Sequence, residues 1–146
     1  MISATSLSPS SSPAPASSPR QLVVAATLLA RLANAEFDEL GDLFEPELNA
    51  LAMLPAGVFE WPDPWTIRAV FNQWFGDVDH YEIVDFAAGL VGPRMHARWR
   101  VSVAGGHLGD GRYMVDQQIY ADTTAAGRIR SMSFMCSGFV RVASDG

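Results

Sequence analysis

The chain has 146 residues, of which 49% are hydrophobic and 18% are charged, with a formal net charge of −6. This composition is typical of one globular domain that buries its own core, and the negative charge excludes nucleic-acid binding through a basic surface. The single cysteine, Cys136, excludes an intramolecular disulfide framework and favours a reducing, cytoplasmic location. Because it lies among apolar residues of a predicted strand, we expect a buried structural thiol.

Residues 1–19 contain eight Ser, four Pro and no charge, which predicts a disordered tail. The apolar run after Arg20 and the A-x-A triplet at 33–35 are similar to a secretory signal peptide. However, the apolar pattern continues past that triplet at helical spacing, which favours an amphipathic first helix. Its apolar positions are Leu22, Ala25, Ala26, Leu29, Leu32 and Ala33. Nothing else reaches the length of a membrane span, so we expect no membrane association.

Short elements follow this helix up to Gly76. A second helix is predicted to end before Pro46, and a third begins at the Pro64-Trp65-Thr66 sequence. The third helix has an aromatic stripe that is typical of a core face. In chain order, we expect a helix over 37–44, strands over 48–54 and 58–61, and a helix over 64–75.

The second half of the chain predicts four long strands, over 81–90, 94–103, 112–122 and 128–142. Gly127 ends the turn of the last hairpin, where a left-handed conformation is needed. Helices followed by consecutive strands are typical of an α+β fold with a curved antiparallel sheet. The glycines of 104–111 do not form a nucleotide-binding loop, since no helix or Lys follows them.

Side chains alternate between the two faces of each strand. One face of the 112–122 strand carries Asp116, Gln118 and Tyr120, and the other carries Gln117 and Ile119 with further apolar residues. In the last strand, Met132, Phe134 and Cys136 share a face. The alternation leaves open which face of each strand points inward.

The order of elements resembles the nuclear transport factor 2-like superfamily, in its SnoaL-like branch. The resemblance covers residues 20–142 as a single domain and leaves 143–146 as a flexible end. It is carried by the LANAEFDELGDLFEPEL junction, the HARWRV strand and the AAGRIRSM hairpin. It implies a cone in which the sheet wraps around the long N-terminal helix, with two further helices and a central pocket.

The same resemblance implies either enzymes or binding modules, because this superfamily includes polyketide cyclases, ketosteroid isomerases, epoxide hydrolases and non-catalytic proteins. Positions that match the catalytic carboxylates of the isomerases and hydrolases fall near Ala52, Gln118 and Phe134, where this chain has none. By comparison with these enzymes, Met132, Phe134 and Cys136 point into the cavity. Strand pairing then places Asp116, Gln118 and Tyr120, or their alternates, inside as well, and Trp99 on the opposite face toward a dimer partner.

Our first hypothesis is therefore a cofactor-independent cyclase, isomerase or hydrolase that acts by general acid/base chemistry on an apolar, polyketide-like substrate. Asp116 is the candidate proton carrier and His96 the second one. A salt bridge to a sheet arginine explains Asp116 equally well, and a surface or satisfied core position explains His96 better than catalysis does. The candidate substrate-binding residues are Arg98, Gln118, Tyr120, Met132, Phe134, Phe59 and Trp61.

The alternatives are a non-catalytic ligand-binding or dimerisation module of the same fold and a domain that binds another protein through its sheet. For the enzyme and for the non-catalytic module we expect a small apolar or ring-containing ligand and a homodimer formed through the sheet. We expect no cofactor. The separate positions of His80, His96 and His107 predict no metal site.

Overall fold

The structure is a computed structural model that describes residues 17–142. The predicted end at 143–146 and residues 1–16 of the predicted tail lie outside the described residues. The first helix begins at Ser18, inside the predicted tail, and Ser17 caps it by accepting a hydrogen bond from the backbone N–H of Arg20. No helix among residues 17–142 is long and apolar enough to cross a membrane.

Three helices and seven strands make up the described part of the chain. The helices are α1 (Ser18–Ala33), a 3-10 helix (Phe37–Leu43) and α2 (Pro64–Phe75). The strands are β1 (Phe44–Leu54), β2 (Gly57–Glu60), β3 (His80–Val91), β4 (Arg94–Ala104), β5 (Arg112–Thr123), β6 (Ile129–Cys136) and β7 (Val140–Arg141). A short 3-10 turn, Gly106–Leu108, joins β4 to β5.

The sheet is curved and open, with strand order β2-β1-β6-β5-β4-β3, and β7 pairs with β5. The α+β fold predicted from the sequence is confirmed, but the sheet is mixed rather than antiparallel because β1 runs parallel to β6. This pair was missed because β1 and β6 lie far apart in the sequence, so no local turn signal reports their pairing.

The helices cover one face of the sheet, and the core lies between the helices and that face. Leu28 and Leu32 of α1 are buried toward β3 and β4, and Ile67 and Phe71 of α2 are buried toward the 3-10 helix and β1. The Tyr81 hydroxyl donates to the backbone oxygen of Leu32 over 2.7 Å, which ties β3 to the end of α1. This hydroxyl is half-buried, and burial raises the pKa of Tyr81.

The last predicted strand, over 128–142, is interrupted. β6 ends at Cys136, residues 137–139 leave the sheet, and β7 returns to pair with Tyr113 and Met114 of β5. The backbone N–H of Ser137 still donates to the backbone oxygen of Asp116. Gly138 adopts a left-handed φ of 78° that favours glycine. The detour makes room for the interior pocket described below.

Candidate functional site

The two faces of the sheet separate the residues that the sequence grouped together. Ile119 pairs with Phe134, and Ala121 pairs with Met132. Paired residues share a face, so Ile119 and Ala121 lie on the helix-covered inner face with Phe134 and Met132. The sequence left open which face of β5 points inward. The arrangement that puts Asp116 on the same face as Phe134 is therefore wrong, and the alternates Gln117, Ile119 and Ala121 face inward.

The outer face carries the two residues predicted to be catalytic and three predicted to bind substrate. Across this face, Gln118 is the strand partner of Arg98 and Tyr120 is the partner of His96. His96 Nε2 lies 2.9 Å from Gln118 Oε1, and the rings of His96 and Tyr120 are 4.5 Å apart. The structure thus brings these side chains together, but on the outer face of the sheet rather than in a central pocket.

Charged side chains on the outer face form ion pairs between neighbouring strands. Arg98 Nη1 donates to Asp85 Oδ2 over 2.8 Å, and Arg100 Nε donates to Asp116 Oδ1 over 2.7 Å. The hydrogen bond and charge of Arg98 lower the pKa of Asp85, and Asp116 in turn raises the pKa of Arg100. Both carboxylates are more than half exposed to solvent. This pairing is the salt-bridge alternative for Asp116, and it leaves the carboxylate in water rather than in an enclosed site.

A shallow cleft of about 450 Å³ runs over these groups on the outer face. Its walls include Arg98, Asp116, Gln118 and Met135. His96 and Tyr120 lie one pleat further along the strands and do not line it. The predicted proton carriers therefore do not share one enclosed cavity in the single chain.

On the inner face, most of the predicted apolar wall is closed core. The Phe134 side chain is 1% exposed, and its ring lies 5.0 Å from the indole of Trp61 between ring centroids. Met132 is also buried, whereas Phe59 on β2 is 43% exposed. Trp99, predicted to face a dimer partner, is buried on the inner face. These rings build the core between α2 and the sheet.

A half-open pocket of about 400 Å³, called the interior pocket because it lies on the inner face of the sheet, is found beside this core where residues 137–139 leave the sheet. The turn between β1 and β2 forms one wall, and the end of α2 forms another. The lining is mainly apolar and aromatic and consists of Leu54, Pro55, Ala56, Trp74, Phe75, Val115, Gln117, Cys136, Gly138 and Phe139. An apolar concave site with few polar groups is typical of small-molecule pockets.

Two polar side chains line this pocket, and they are cross-strand neighbours. Gln117 pairs with Trp99 of β4 on one side and with Cys136 of β6 on the other. The Trp99 indole Nε1–H donates to Gln117 Oε1 over 2.8 Å, and Gln117 Nε2 lies 3.3 Å from Cys136 Sγ. Burial raises the pKa of the Cys136 thiol, which the hydrogen bonds from Gln117 and the Gly138 backbone partly oppose.

No buried carboxylate or imidazole belongs to the interior of residues 17–142. The buried polar or charged side chains there are Gln21, Ser102, Gln117, Thr123 and Thr124. The same part of the chain has no group of three His, Cys, Asp or Glu side chains placed to hold a metal ion. The pocket can therefore contribute apolar surface, an amide and a thiol to a bound molecule.

No protein-family model and no curated protein matches the sequence. Solved structures do match most of the chain. A candidate polyketide cyclase from Xanthomonas campestris pv. campestris superimposes with a TM-score of 0.63 at 11% identity, covering 81% of this chain and 90% of that chain. The chain has the SnoaL-like form of the nuclear transport factor 2-like fold.

Two further proteins share the SnoaL-like fold with this chain. An LEH-like epoxide hydrolase from M. tuberculosis matches with a TM-score of 0.58 at 13% identity, covering 82% of this chain and 84% of that chain. A steroid delta-isomerase from Pseudomonas aeruginosa matches with a TM-score of 0.55 at 13% identity, covering 84% and 82%. At such identities the comparison shows the fold, which the sequence predicted. It does not show a reaction for this chain.

Within this SnoaL-like fold, Gln117 and Cys136 are pocket residues that sequence reasoning did not propose as ligand-binding. Gln118 was proposed instead, one residue away and on the opposite face. Gln117 alternates with Val115 and Ile119, but each face of β5 mixes polar and apolar residues, so alternation alone did not identify it as inward-facing. An amide inside an apolar strand face indicates a specific hydrogen-bonding role.

Proposed function

We propose that this protein binds a small apolar, ring-containing molecule in the interior pocket and does so without general acid/base catalysis. The observation that carries the proposal is the lining of that pocket. Trp74 and Phe139 offer flat aromatic surface, and Gln117 offers one fixed amide. Aromatic walls with few polar groups favour a rigid ring with little polar surface.

The same lining argues for binding rather than catalysis. A general acid or base must lie within hydrogen-bond reach of the substrate and titrate near the working pH. Among residues 17–142 the titratable group in the pocket wall is Cys136, whose pKa is raised by burial. A raised pKa keeps the thiol protonated, and a protonated thiol is a poor nucleophile and a poor base.

Calorimetric titration with 1-tetralone, a bicyclic ketone, tests this proposal. Replacing Leu54 by Trp fills the pocket from the β1 side and should abolish binding. Replacing the adjacent Met53 by Trp is the matched control, because Met53 lies on the outer face and is 39% exposed. The proposal fails if 1-tetralone does not bind the wild-type protein or if the Leu54→Trp variant binds it as well as the Met53→Trp variant.

A second candidate function is homodimerisation through the outer face of the sheet. It is favoured by the internal pairing of charges on this face, since Arg98 and Arg100 are already matched by Asp85 and Asp116. Leu51 and Met53 of β1 are 44% and 39% exposed at the other end of the same face. A second copy over this face would bury the apolar side chains of Leu51 and Met53, while Arg98 and Arg100 keep their partners within the chain.

Such a dimer would also give the enzyme hypothesis its most favourable setting. A second copy over the outer cleft would remove Asp116 and His96 from bulk water, as acid/base chemistry on a cyclase, isomerase or hydrolase substrate requires. Sedimentation of the wild type and of the Met53→Asp variant tests the dimer. We expect a dimer that the substitution dissociates, whereas Val23→Asp on the outer side of α1 should leave it intact. A monomeric wild type would remove both the dimer and this setting.

A further inference from the structure

The orientation of the Gln117 amide is dictated by its neighbour on β4. The indole Nε1–H of Trp99 is a donor that cannot accept a hydrogen bond. Since it lies 2.8 Å from the Gln117 amide, the atom that faces it must be the oxygen Oε1. The amide nitrogen Nε2 must then point the other way, toward Cys136, which lines the interior pocket together with Gln117. Trp99 thus removes the usual ambiguity between the two ends of the amide.

The nitrogen that faces the pocket retains donor capacity. It carries two hydrogens, and among residues 17–142 its hydrogen bond is to Cys136 Sγ at 3.3 Å. A thiol sulfur is a weak acceptor, and the backbone N–H of Gly138 donates to the same sulfur over 3.4 Å. Gln117 is only 3% exposed, so water reaches this amide poorly. A buried donor with a weak partner favours any ligand that brings a better acceptor.

The rest of the pocket wall is mainly apolar. Val115, Phe75 and Leu54 offer apolar surface, and the other side-chain donors are the indole N–H of Trp74 and the Cys136 thiol, which donates weakly. A ligand oxygen recognised by the Gln117 amide would place the attached ring against the aromatic walls. A buried donor in a largely apolar site favours one orientation of the ligand and one chemical class.

We propose that the interior pocket selects ring compounds with a hydrogen-bond acceptor, such as a ketone or ether oxygen, and that Gln117 is the residue that determines this specificity. Trp99 acts through Gln117 as a positioning residue. This inference rests on the proposed function, because it names the class of ligand for the same pocket. It excludes ligands whose sole polar group is a hydrogen-bond donor.

The test compares two probes with the same ring system, 1-tetralone and tetralin, which differ in the carbonyl oxygen. The quantity of interest is the ratio of their two dissociation constants, measured for each variant. Gln117→Leu should weaken 1-tetralone about tenfold relative to tetralin, the effect expected from one hydrogen bond in a dry pocket. Gln118→Leu changes the same residue type one position along, on the outer face, and should leave the ratio unchanged.

Trp99→Phe separates positioning from simple loss of structure. Without the indole donor the amide can rotate and present Oε1, so the preference for 1-tetralone should fall while tetralin binding is retained. Equal weakening of both probes in this variant would mean that Trp99 supports the fold and does not orient Gln117. That result would overturn its assignment as a positioning residue.

A measurement on the wild-type protein covers the case in which a variant does not fold. The side-chain amide protons of Gln117 give an NMR signal that should move downfield with 1-tetralone and stay in place with tetralin. If both probes bind and neither moves this signal, or if Gln117→Leu leaves the ratio unchanged, the inference is wrong and the proposed function stands. If neither probe binds the wild-type protein, the proposed function itself is wrong.

Discussion

The ring of Phe134 lies almost parallel to the indole of Trp74, at an interplanar angle of 17° with the ring centroids 6.0 Å apart. Phe134 belongs to β6 and Trp74 to α2, so this contact joins the sheet to the helix layer. Trp61 and Phe71 also lie within 6.0 Å of the Phe134 ring. The last long strand and the second α-helix therefore share one aromatic cluster.

We expect Phe134→Ala to lower the free energy of unfolding by about 3–5 kcal/mol, because it removes a fully buried ring and leaves a cavity among stiff neighbours. Phe59→Ala is the matched control, since Phe59 is 43% exposed and its loss should cost below about 1 kcal/mol. Urea unfolding followed by tryptophan fluorescence measures both. Equal losses for the two variants would contradict the central position of Phe134.

Gly138 permits the close approach of residues 137–139 to the turn between β1 and β2. Its φ is 78°, and a Cβ atom built there would lie 2.7 Å from Pro55 Cγ. We expect Gly138→Ala to destabilise the protein by about 1–3 kcal/mol and to weaken 1-tetralone binding, because Pro55 must move at the pocket wall. Gly89→Ala in β3 meets no atom within 4 Å and should cost no stability. Thermal unfolding of both variants measures the two changes in stability.

The ion pair of Asp85 and Arg98 predicts a pH dependence of stability. The hydrogen bond from Arg98 holds the pKa of Asp85 below its ordinary value of 3.8. A carboxyl with a lowered pKa in the folded state stabilises the protein above the ordinary pKa, and this contribution is lost as the pH falls through the lowered value. Asp85→Asn should therefore be less stable than the wild type near neutral pH and equally stable in strong acid.

Urea unfolding of the wild type and of the Asp85→Asn variant, at about pH 7 and about pH 2, measures this difference. Because both side chains are about half exposed, added salt should reduce it at neutral pH. A difference in stability that stays constant across the pH range would show that the ion pair is not its cause.

Cys136 provides a chemical probe of the pocket. Burial raises the pKa of its thiol, so the folded protein should react with iodoacetamide at mildly alkaline pH more slowly than the urea-unfolded chain. A molecule bound in the pocket should slow the reaction further, because Cys136 belongs to the wall. Mass spectrometry of timed samples, with and without 1-tetralone, measures both effects. Labelling of the folded protein at the unfolded rate would contradict the burial of this thiol.

The sequence predicted the order of elements well because each one has a local signal. Helical spacing identified α1, the Pro64-Trp65-Thr66 sequence marked the start of α2, and β-branched and aromatic runs identified the long strands. The strict alternation of side chains along β4 and β5 also followed from the sequence, whereas the pairing of His96 with Tyr120 and of Arg98 with Gln118 is seen in the structure. These features depend on residues close together in the sequence.

The inward face of β5 could not be predicted in the same way. Asp116, Gln118 and Tyr120 share their face with Met114, while Gln117 shares the opposite face with Val115 and Ile119, so each face mixes polar and apolar residues. Phe134 decides which face of β5 points inward. Its ring packs against Trp74 of α2, and Ile119 lies on the same face because it pairs with Phe134. That constraint comes from a helix far away in the sequence.

The parallel pairing of β1 with β6 has a consequence for how the chain assembles. Phe44 pairs with Ile129, and Ala52 pairs with Phe134, so most of the chain separates the two strands. Such distant contacts are slow to form, because the loop must close before any pairing is gained. During synthesis, β1 and β2 have no strand neighbour to complete the sheet until β6 has emerged. A chain arrested before Phe134 would leave the hydrogen-bonding edge of β1 that β6 occupies incompletely paired, and such an edge is open to chaperones and to aggregation.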